Sequence, residues 1–504
     1  MSRTARLSGL SRVNRFDDDS PLADLLERVP HPGPCWSAAS AGSVGRGSRS
    51  RTRGGASGDV LPTVPDVVVL APGRRSPPPA PGTPAGTRDI RPESGRGCYA
   101  GPPAGVSMPQ SDSTSGDIMS ENTEVVVLGG GYGGVKAANR LARRAGVSVT
   151  LVNPRPDFVE RIRLHQLVTG SDDAVESFGK VLGRNVRLVV DTATLIAPAE
   201  RRVSLAGGTT LAYDHLVYAV GSGACAPGVP GAAEFAHAVA DLDAARRLRS
   251  ALAETPATAP VTVVGAGLTG LETAAELAET GRHVTLVCGG VLGPSLHARG
   301  RRSVARRLAA LGVRVLEGAG TRVTEVTRDA VRLDDGRDVP GAVTVWTAGF
   351  GVPDLAAHSG LTTDAHGRLV TDATLTSVDD DRIVAAGDAG VITGRPFRMS
   401  CQAAVQLGTG AADTVLRRIA GKSPAPVRPL FAGQCLSLGR EEGVTQFSYL
   451  DDRVNALHLS GRPAAGVKEI VCRSTLRQLV SGARKAGSRA VRDDTPDPRR
   501  NVPA

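Results

Sequence analysis

From residue 124 onward the chain alternates short β-branched runs with stretches of helical period. Glu124 to Leu128 is a run fit for a buried parallel strand. Tyr132 to Ala145 repeats its apolar positions at helical spacing, and Ser148 to Val152 reads as a second strand. The same strand–turn–helix–strand unit recurs at Val261 to Val264, Leu268 to Glu279 and His283 to Val287, roughly 135 residues later. Two such units predict an α/β fold with two doubly wound, Rossmann-like domains. Further strands are expected at Val186 to Val190, Arg202 to Leu205, His215 to Ala219, Val313 to Glu317, Ala330 to Leu333 and Val343 to Thr347. A strand-rich stretch, Val427 to Leu459, then leads into a helix from Ala464 to Ala486, which predicts a C-terminal α+β segment.

Residues 1–118 show no such pattern apart from Val67 to Leu70. They are rich in Gly, Pro, Ser and Arg and cannot bury enough apolar surface to offset their ordering entropy, so they are expected to be disordered. Met108 and Met119 precede the first strand closely, and a start at either one would remove this extension.

Composition narrows the setting. The chain has 504 residues and a net charge of +10. The lysines are Lys136, Lys180, Lys422, Lys468 and Lys485; the other cations are arginines. No basic stretch is interleaved with aromatics as in nucleic-acid binders, so the charge reads as codon bias and no nucleic-acid partner is expected. No apolar run reaches the roughly 18 to 20 residues of a membrane span, and no secretory signal is readable, which gives a cytoplasmic expectation. The seven cysteines (Cys35, Cys98, Cys225, Cys288, Cys401, Cys435 and Cys472) form no C-x-x-C pair, so neither a disulfide framework nor a metal site is expected.

The chemistry begins at two glycine-rich turns, each following a strand and opening a helix. Gly129-Gly130-Gly131-Tyr132-Gly133-Gly134 has the dinucleotide fingerprint spacing. Gly129 permits the tight turn, Gly131 lets backbone approach a pyrophosphate, and Gly134 lets helix and strand pack closely. Gly265, Gly267 and Gly270 repeat the pattern. The helix N-terminus supplies N–H donors and positive potential. The ribose is usually held by an acidic residue at the end of the second strand. Here those positions are Asn153 and Cys288, and Arg299, Arg301 and Arg302 follow the second one, so NADH versus NADPH stays open.

Two later motifs tie the chain to a family. Tyr213 to Ser222 (YDHLVYAVGS) resembles the Y-D-x-L-V-x-A-T-G-S element of two-dinucleotide flavoproteins, and Ile383 to Ala389 (IVAAGDA) resembles their I-x-A-x-G-D-A element. The resemblance runs from Glu124 to about Ile419. It implies FAD at the first fingerprint, with Gly221 at the flavin and Asp388 on its ribityl chain, and NAD(P)H at the second, with Gly349 giving the nicotinamide room. It also implies the domain order: 124–255 and 351–422 as two parts of an FAD domain, 256–350 as an inserted NAD(P)H domain, and 423–504 as an interface or membrane-association segment. The C-x-x-x-x-C and C-x-x-C elements of the disulfide reductases are missing. Cys401-Gln402-Ala403-Ala404-Val405-Gln406 resembles instead the A-Q-x-A-x-Q element of type II NADH dehydrogenases, the NADH:quinone oxidoreductases.

That closer resemblance implies hydride transfer from nicotinamide to flavin, then electron transfer to a quinone near Gln402 and Gln406. Those glutamines are four apart and share a helix face; otherwise they cap or face solvent on an ordinary helix. Glu272 matches a glutamate near nicotinamide and flavin that assists binding or proton supply; otherwise it is a carboxylate in the first helical turn, favoured by the helix dipole. His165 reads as a structural histidine. The last helix carries an apolar stripe (Val467, Ile470, Val471, Leu476, Leu479, Val480, Ala483) with Lys468, Arg473, Arg477, Arg484 and Lys485 around it. It either lies in a membrane interface, peripheral on the inner face of the cell membrane, or packs on its own domain or a homodimer partner. Two other readings are a soluble reductase of a small metabolite or iron–sulfur protein, and a non-enzymatic NAD(H)-sensing flavoprotein.

Overall fold

A computed structural model describes residues 122–224, 228–486 and 491–492. The expectation of disorder for residues 1–118 lies outside the described residues, as do Cys35, Cys98 and Cys225.

The chain enters through β1 (Thr123–Leu128), α1 (Tyr132–Leu141), β2 (Val147–Asn153), α2 (Leu164–Thr169), β3 (Val186–Val190) and β4 (His215–Tyr218). A second series follows: β5 (Ala236–Ala238), α3 (Leu242–Glu254), β6 (Val261–Val264), α4 (Leu268–Glu279), β7 (Val284–Val287), α5 (Ala298–Ala310), β8 (Arg314–Leu316) and β9 (Val343–Trp346). The chain then returns through β10 (Ile383–Ala385) and α6 (Cys401–Ile419), and closes with β11 (Gly433–Ser437), β12 (Gly443–Ser448), β13 (Val454–Gly461) and α7 (Arg462–Lys485).

Two parallel sheets result. The first runs β10-β4-β1-β2-β3 and ends on the short strand Val491–Arg492; the second runs β5-β9-β6-β7-β8. In both, the strand order reverses beside the fingerprint strand, β1 or β6, the switch point where open α/β sheets bind ligands. Val125 to Leu128 and Val261 to Val264 are buried throughout, as strands covered on both faces must be. β10 returns to the first sheet after the strands of the second. The second sheet's edge strand β5 and helix α3 lie ahead of the expected boundary at 256. Their residues Val239, Leu242, Ala245, Leu248 and Leu252 fill the same core as Val263 and Leu286.

The helices end where local chemistry stops them. Asp241 caps α3 by accepting from the Ala244 N–H at 2.9 Å, and Ser400 caps α6 through the Ala403 N–H at 3.2 Å. α6 crosses α1 at near contact: a Cβ on Gly408 would meet the Gly133 carbonyl oxygen at 2.2 Å. That crossing brings the start of α6 beside the first fingerprint. The sheet β11-β12-β13 is antiparallel and packs against α4, α5 and α7.

Candidate functional site

The two fingerprints have the same geometry. Gly129 and Gly265 take positive φ, +101° and +110°. A Cβ on Gly134 would sit 1.9 Å from the Gly129 carbonyl oxygen, and one on Gly270 1.9 Å from that of Gly265. These four positions are therefore closed to any side chain. Gly131 and Gly267 differ: a Cβ there meets nothing within 4 Å. Each is the N-cap of its helix, and neither cap has a side-chain hydrogen bond. First-turn N–H groups thus face open space with positive helix potential behind them, which suits a pyrophosphate.

Asn153 stands at the end of β2, as expected. Its amide is used locally: Oδ1 accepts from the Gly130 N–H at 2.9 Å, and Nδ2 donates to the Arg155 carbonyl at 2.8 Å. It braces the glycine turn from below. Cys288 follows β7, and burial together with the Glu317 charge pushes its thiol up to about 12.

The far end of the first site lies where β4 and β10 finish. Ser222 Oγ donates to Asp388 Oδ2 at 2.7 Å, and Arg161 Nη1 donates to Ser222 Oγ at 3.0 Å while lying 3.8 Å from Asp388 Oδ2. The Arg161 guanidinium also sits 6.0 Å from the centre of the Phe350 ring. Gly221 holds φ +72° and Gly349 φ +94°, and just beyond them Gly223–Ala224 pairs antiparallel with Phe350–Gly351. That pairing joins the binding edges of the two sheets. Beside it opens a cleft of about 530 Å³, bounded by Thr269, Trp346, Thr347, Gly349, Phe350 and His237.

Glu272 does not lie in the first turn of α4, which begins at Leu268; it lies one turn in and is buried. The helix dipole does not account for it. Its Oε1 is 2.9 Å from Lys468 Nζ and accepts from the Ser437 N–H at 3.0 Å, and His165 Nδ1 lies 3.8 Å from Oε2. Burial alone would raise the Glu272 pKa, but the Lys468 ammonium leads the opposing effects and holds it below the usual carboxylate range. The same pair keeps Lys468 charged despite its burial. Burial drives His165 down to about 4, so it is neutral at neutral pH, and its Nε2 sits 3.2 Å from Ser437 Oγ. Lys468, expected on the basic surface of the last helix, is instead inside.

Gln402 and Gln406 share a face of α6 but not a role. The Gln406 amide donates to the Leu430 carbonyl at 2.8 Å and accepts from the Leu430 N–H at 2.9 Å, which pins the chain entering β11. Gln402 is half-buried, and its side chain makes no hydrogen bond among the described residues. Of the two, only Gln402 offers a free amide. On α7, Leu479 and Ala483 are buried, Leu476 and Val480 pack on the first core, and Ile470 is exposed. Most of the apolar stripe therefore faces the chain's own domain. No helix among the described residues is long and apolar enough to cross a membrane.

Arg161 and Ser437 were not singled out in the sequence, and Lys468 was expected only as a surface charge. None belongs to a spaced motif, and each meets its partner across a long stretch of chain. Ser222 was visible only as the last letter of a motif.

Comparison with known proteins agrees with this geometry. Residues 123–408 match the pyridine nucleotide-disulphide oxidoreductase family. A NADH dehydrogenase-like protein of Mycobacterium tuberculosis is 30% identical over 392 residues, covering 72% of this chain and 96% of that protein. The type II NADH:quinone oxidoreductase of the same organism is 29% identical over 369 residues, covering 64% and 78%. Among solved structures, the sulfide:quinone oxidoreductase of Aquifex aeolicus shares the fold, with a TM-score of 0.62 at 20% identity over 71% of this chain and 92% of that one. The chain belongs to the pyridine nucleotide-disulphide oxidoreductase family, and is an oxidoreductase that works with FAD and NAD(P)H.

Proposed function

We propose that the chain is an NAD(P)H:quinone oxidoreductase of the type II NADH dehydrogenase kind. The observation that carries the reading is the seam at Gly223–Ala224 and Phe350–Gly351, which sets the open ends of the two dinucleotide sites edge to edge. When bound, FAD supplies the two-electron chemistry between nicotinamide and acceptor.

The residues divide the remaining work. Gly129, Gly131 and Gly134 present the first helix N-terminus to the FAD phosphates, with Asn153 bracing the turn and Asp388 taking the ribityl hydroxyls. Gly265, Gly267 and Gly270 do the same for the nicotinamide coenzyme. Gly221 and Gly349 keep side chains out of the seam, where the flavin and nicotinamide rings would need room. Arg161, held by Ser222 and the Ala240 carbonyl, places a fixed positive charge at that seam, a preorganised charge that needs no rearrangement during reaction. Glu272 holds a charge in a buried network with Lys468, and any proton it exchanged would pass through that network. Gln402 offers its amide to the acceptor.

The quinone assignment draws on the relative named as a type II NADH:quinone oxidoreductase and on the C-Q-A-A-V-Q element. Tyr449, Leu450, Leu457 and Ile470 are exposed apolar side chains of the C-terminal segment and suit attachment to the membrane that holds such an acceptor. The test separates the two halves of the reaction. Gln402→Ala is expected to leave flavin reduction by NADH unchanged and to slow reoxidation by a short-chain quinone about tenfold. Equal reoxidation by wild type and variant, together with faster turnover on a soluble iron–sulfur acceptor, would favour the soluble reductase instead.

A further inference from the structure

In the second sheet β7 is followed by Cys288, at the position where nicotinamide coenzymes usually find their selecting carboxylate. The neighbouring strand supplies one. Val287 of β7 lies beside Leu316 of β8, and the Cys288 N–H donates to the Leu316 carbonyl at 2.8 Å. The residue that follows β8 is Glu317. Its Oε2 accepts from the Leu292 N–H at 3.0 Å, and its charge helps to push the Cys288 thiol up. Glu317 is exposed and pairs with no cation among the described residues.

The ground between this carboxylate and the fingerprint is open and braced. Added Cβ atoms on Gly267, Gly289 and Gly290 meet nothing within 4 Å. The loop over Cys288 is tied to the fingerprint by the Gly293 N–H, which donates to the Ala266 carbonyl at 3.1 Å. It is tied to β8 by the Gly318 N–H, which donates to the Gly290 carbonyl at 2.6 Å. A ligand with its phosphates at Gly267 would find this open ground between it and Glu317. Val291, half exposed on the same loop, offers an apolar surface beside it. Of the arginines that follow, Arg301 lies with its stem near Gly293, and neither it nor Arg299 or Arg302 forms an ion pair with Glu317.

We infer that Glu317 is the coenzyme-selecting residue: its carboxylate accepts the adenosine ribose hydroxyls of NADH and excludes the 2′-phosphate of NADPH. The inference rests on the reading of the second fingerprint as the nicotinamide coenzyme site. Two hydroxyl donors meet an acceptor of full charge, which makes a charge-assisted bond. A phosphate at the same place brings like charges together. A selecting carboxylate on the adjacent strand is invisible to a motif that looks only along one strand.

The test measures binding, not turnover. ADP-ribose and 2′-phospho-ADP-ribose are titrated calorimetrically into the FAD-loaded protein. Wild type is expected to prefer ADP-ribose by about tenfold or more. Glu317→Gln keeps an acceptor for the Leu292 N–H but loses the charge, and should bring the two affinities to within about threefold. Glu317→Arg should reverse the order. A loop that is merely damaged would weaken both ligands alike and leave their ratio unchanged, which would overturn the assignment, as would a wild type that prefers the 2′-phosphate and loses that preference in Arg301→Ala. Binding of neither ligand would instead overturn the coenzyme-site reading on which the inference rests.

Discussion

A buried carboxylate needs a counter-charge and hydrogen bonds to stay ionised, and Glu272 has both in Lys468 and the Ser437 N–H. Removing one partner leaves the other buried and uncompensated. Lys468→Met should therefore cost about 3–5 kcal/mol in denaturant unfolding. Adding Glu272→Gln should recover part of that loss, since the two effects share one interaction. A Lys468→Met variant as stable as wild type would show that the pair carries no such weight. His165 contributes to the acid limb, alongside the lowered His215 and His237. Its ordinary value is 6.5 and its folded value about 4, so the unfolded chain takes up the proton first as pH falls. Its contribution is complete above 6.5 and declines toward pH 4, by on the order of 3 kcal/mol. Glu272, held low, loses its contribution only further down, and Glu160 and Glu276, pushed up by burial, act in the opposite sense. Urea unfolding of His165→Gln between pH 6.5 and 4.5 should fall less steeply than that of wild type; parallel curves would contradict the assignment. At this scale the family resemblance pointed to Glu272, but the sequence did not show why it is buried. Its partners come from a strand and a helix far along the chain, which no local spacing reveals.

The glycine turns are the elements where sequence and geometry agree most closely, and the reason is steric. A positive φ and a carbonyl at 1.9 Å leave no residue but glycine at those positions, so the requirement is written in the letters themselves. The two kinds of glycine should part on mutation. Gly134→Ala is expected to lose both melting temperature and flavin, because its methyl enters the Gly129 carbonyl. Gly131→Ala should melt like the flavin-free wild type yet hold FAD at least about tenfold more weakly, because its methyl fills only the space left for phosphate. Equal behaviour of the two would undo that distinction. Less legible were the helices with two uses for one pattern. The apolar stripe of α7 fits a membrane face and a core face equally well on paper, and tertiary packing turned most of it inward. Gln402 and Gln406 share a helical face in any reading, and only the backbone of Leu430 separates their roles.

At the scale of the molecule, the two parallel sheets follow from periodicity and two repeated turns, while the insertion of one within the other was implied only by the family resemblance. Strands covered on both faces are uniformly apolar, so they stand out. The weaker boundary was the entry into the second sheet: β5 is a three-residue edge strand, Ala236–Ala238, too short and too bland to announce itself. The seam between the sheets was not legible either, since Gly223–Ala224 and Phe350–Gly351 are only two residues each. On the proposed reading, that seam brings the two binding turns into one site, and electron flow across it is directly measurable. The purified, FAD-loaded protein is mixed anaerobically with NADH in a stopped-flow instrument, and the visible flavin band is followed before and after addition of a short-chain quinone. Full bleaching by one equivalent of NADH and prompt recovery with the quinone are expected. A flavin that NADH and NADPH both leave oxidised would contradict the proposed reading.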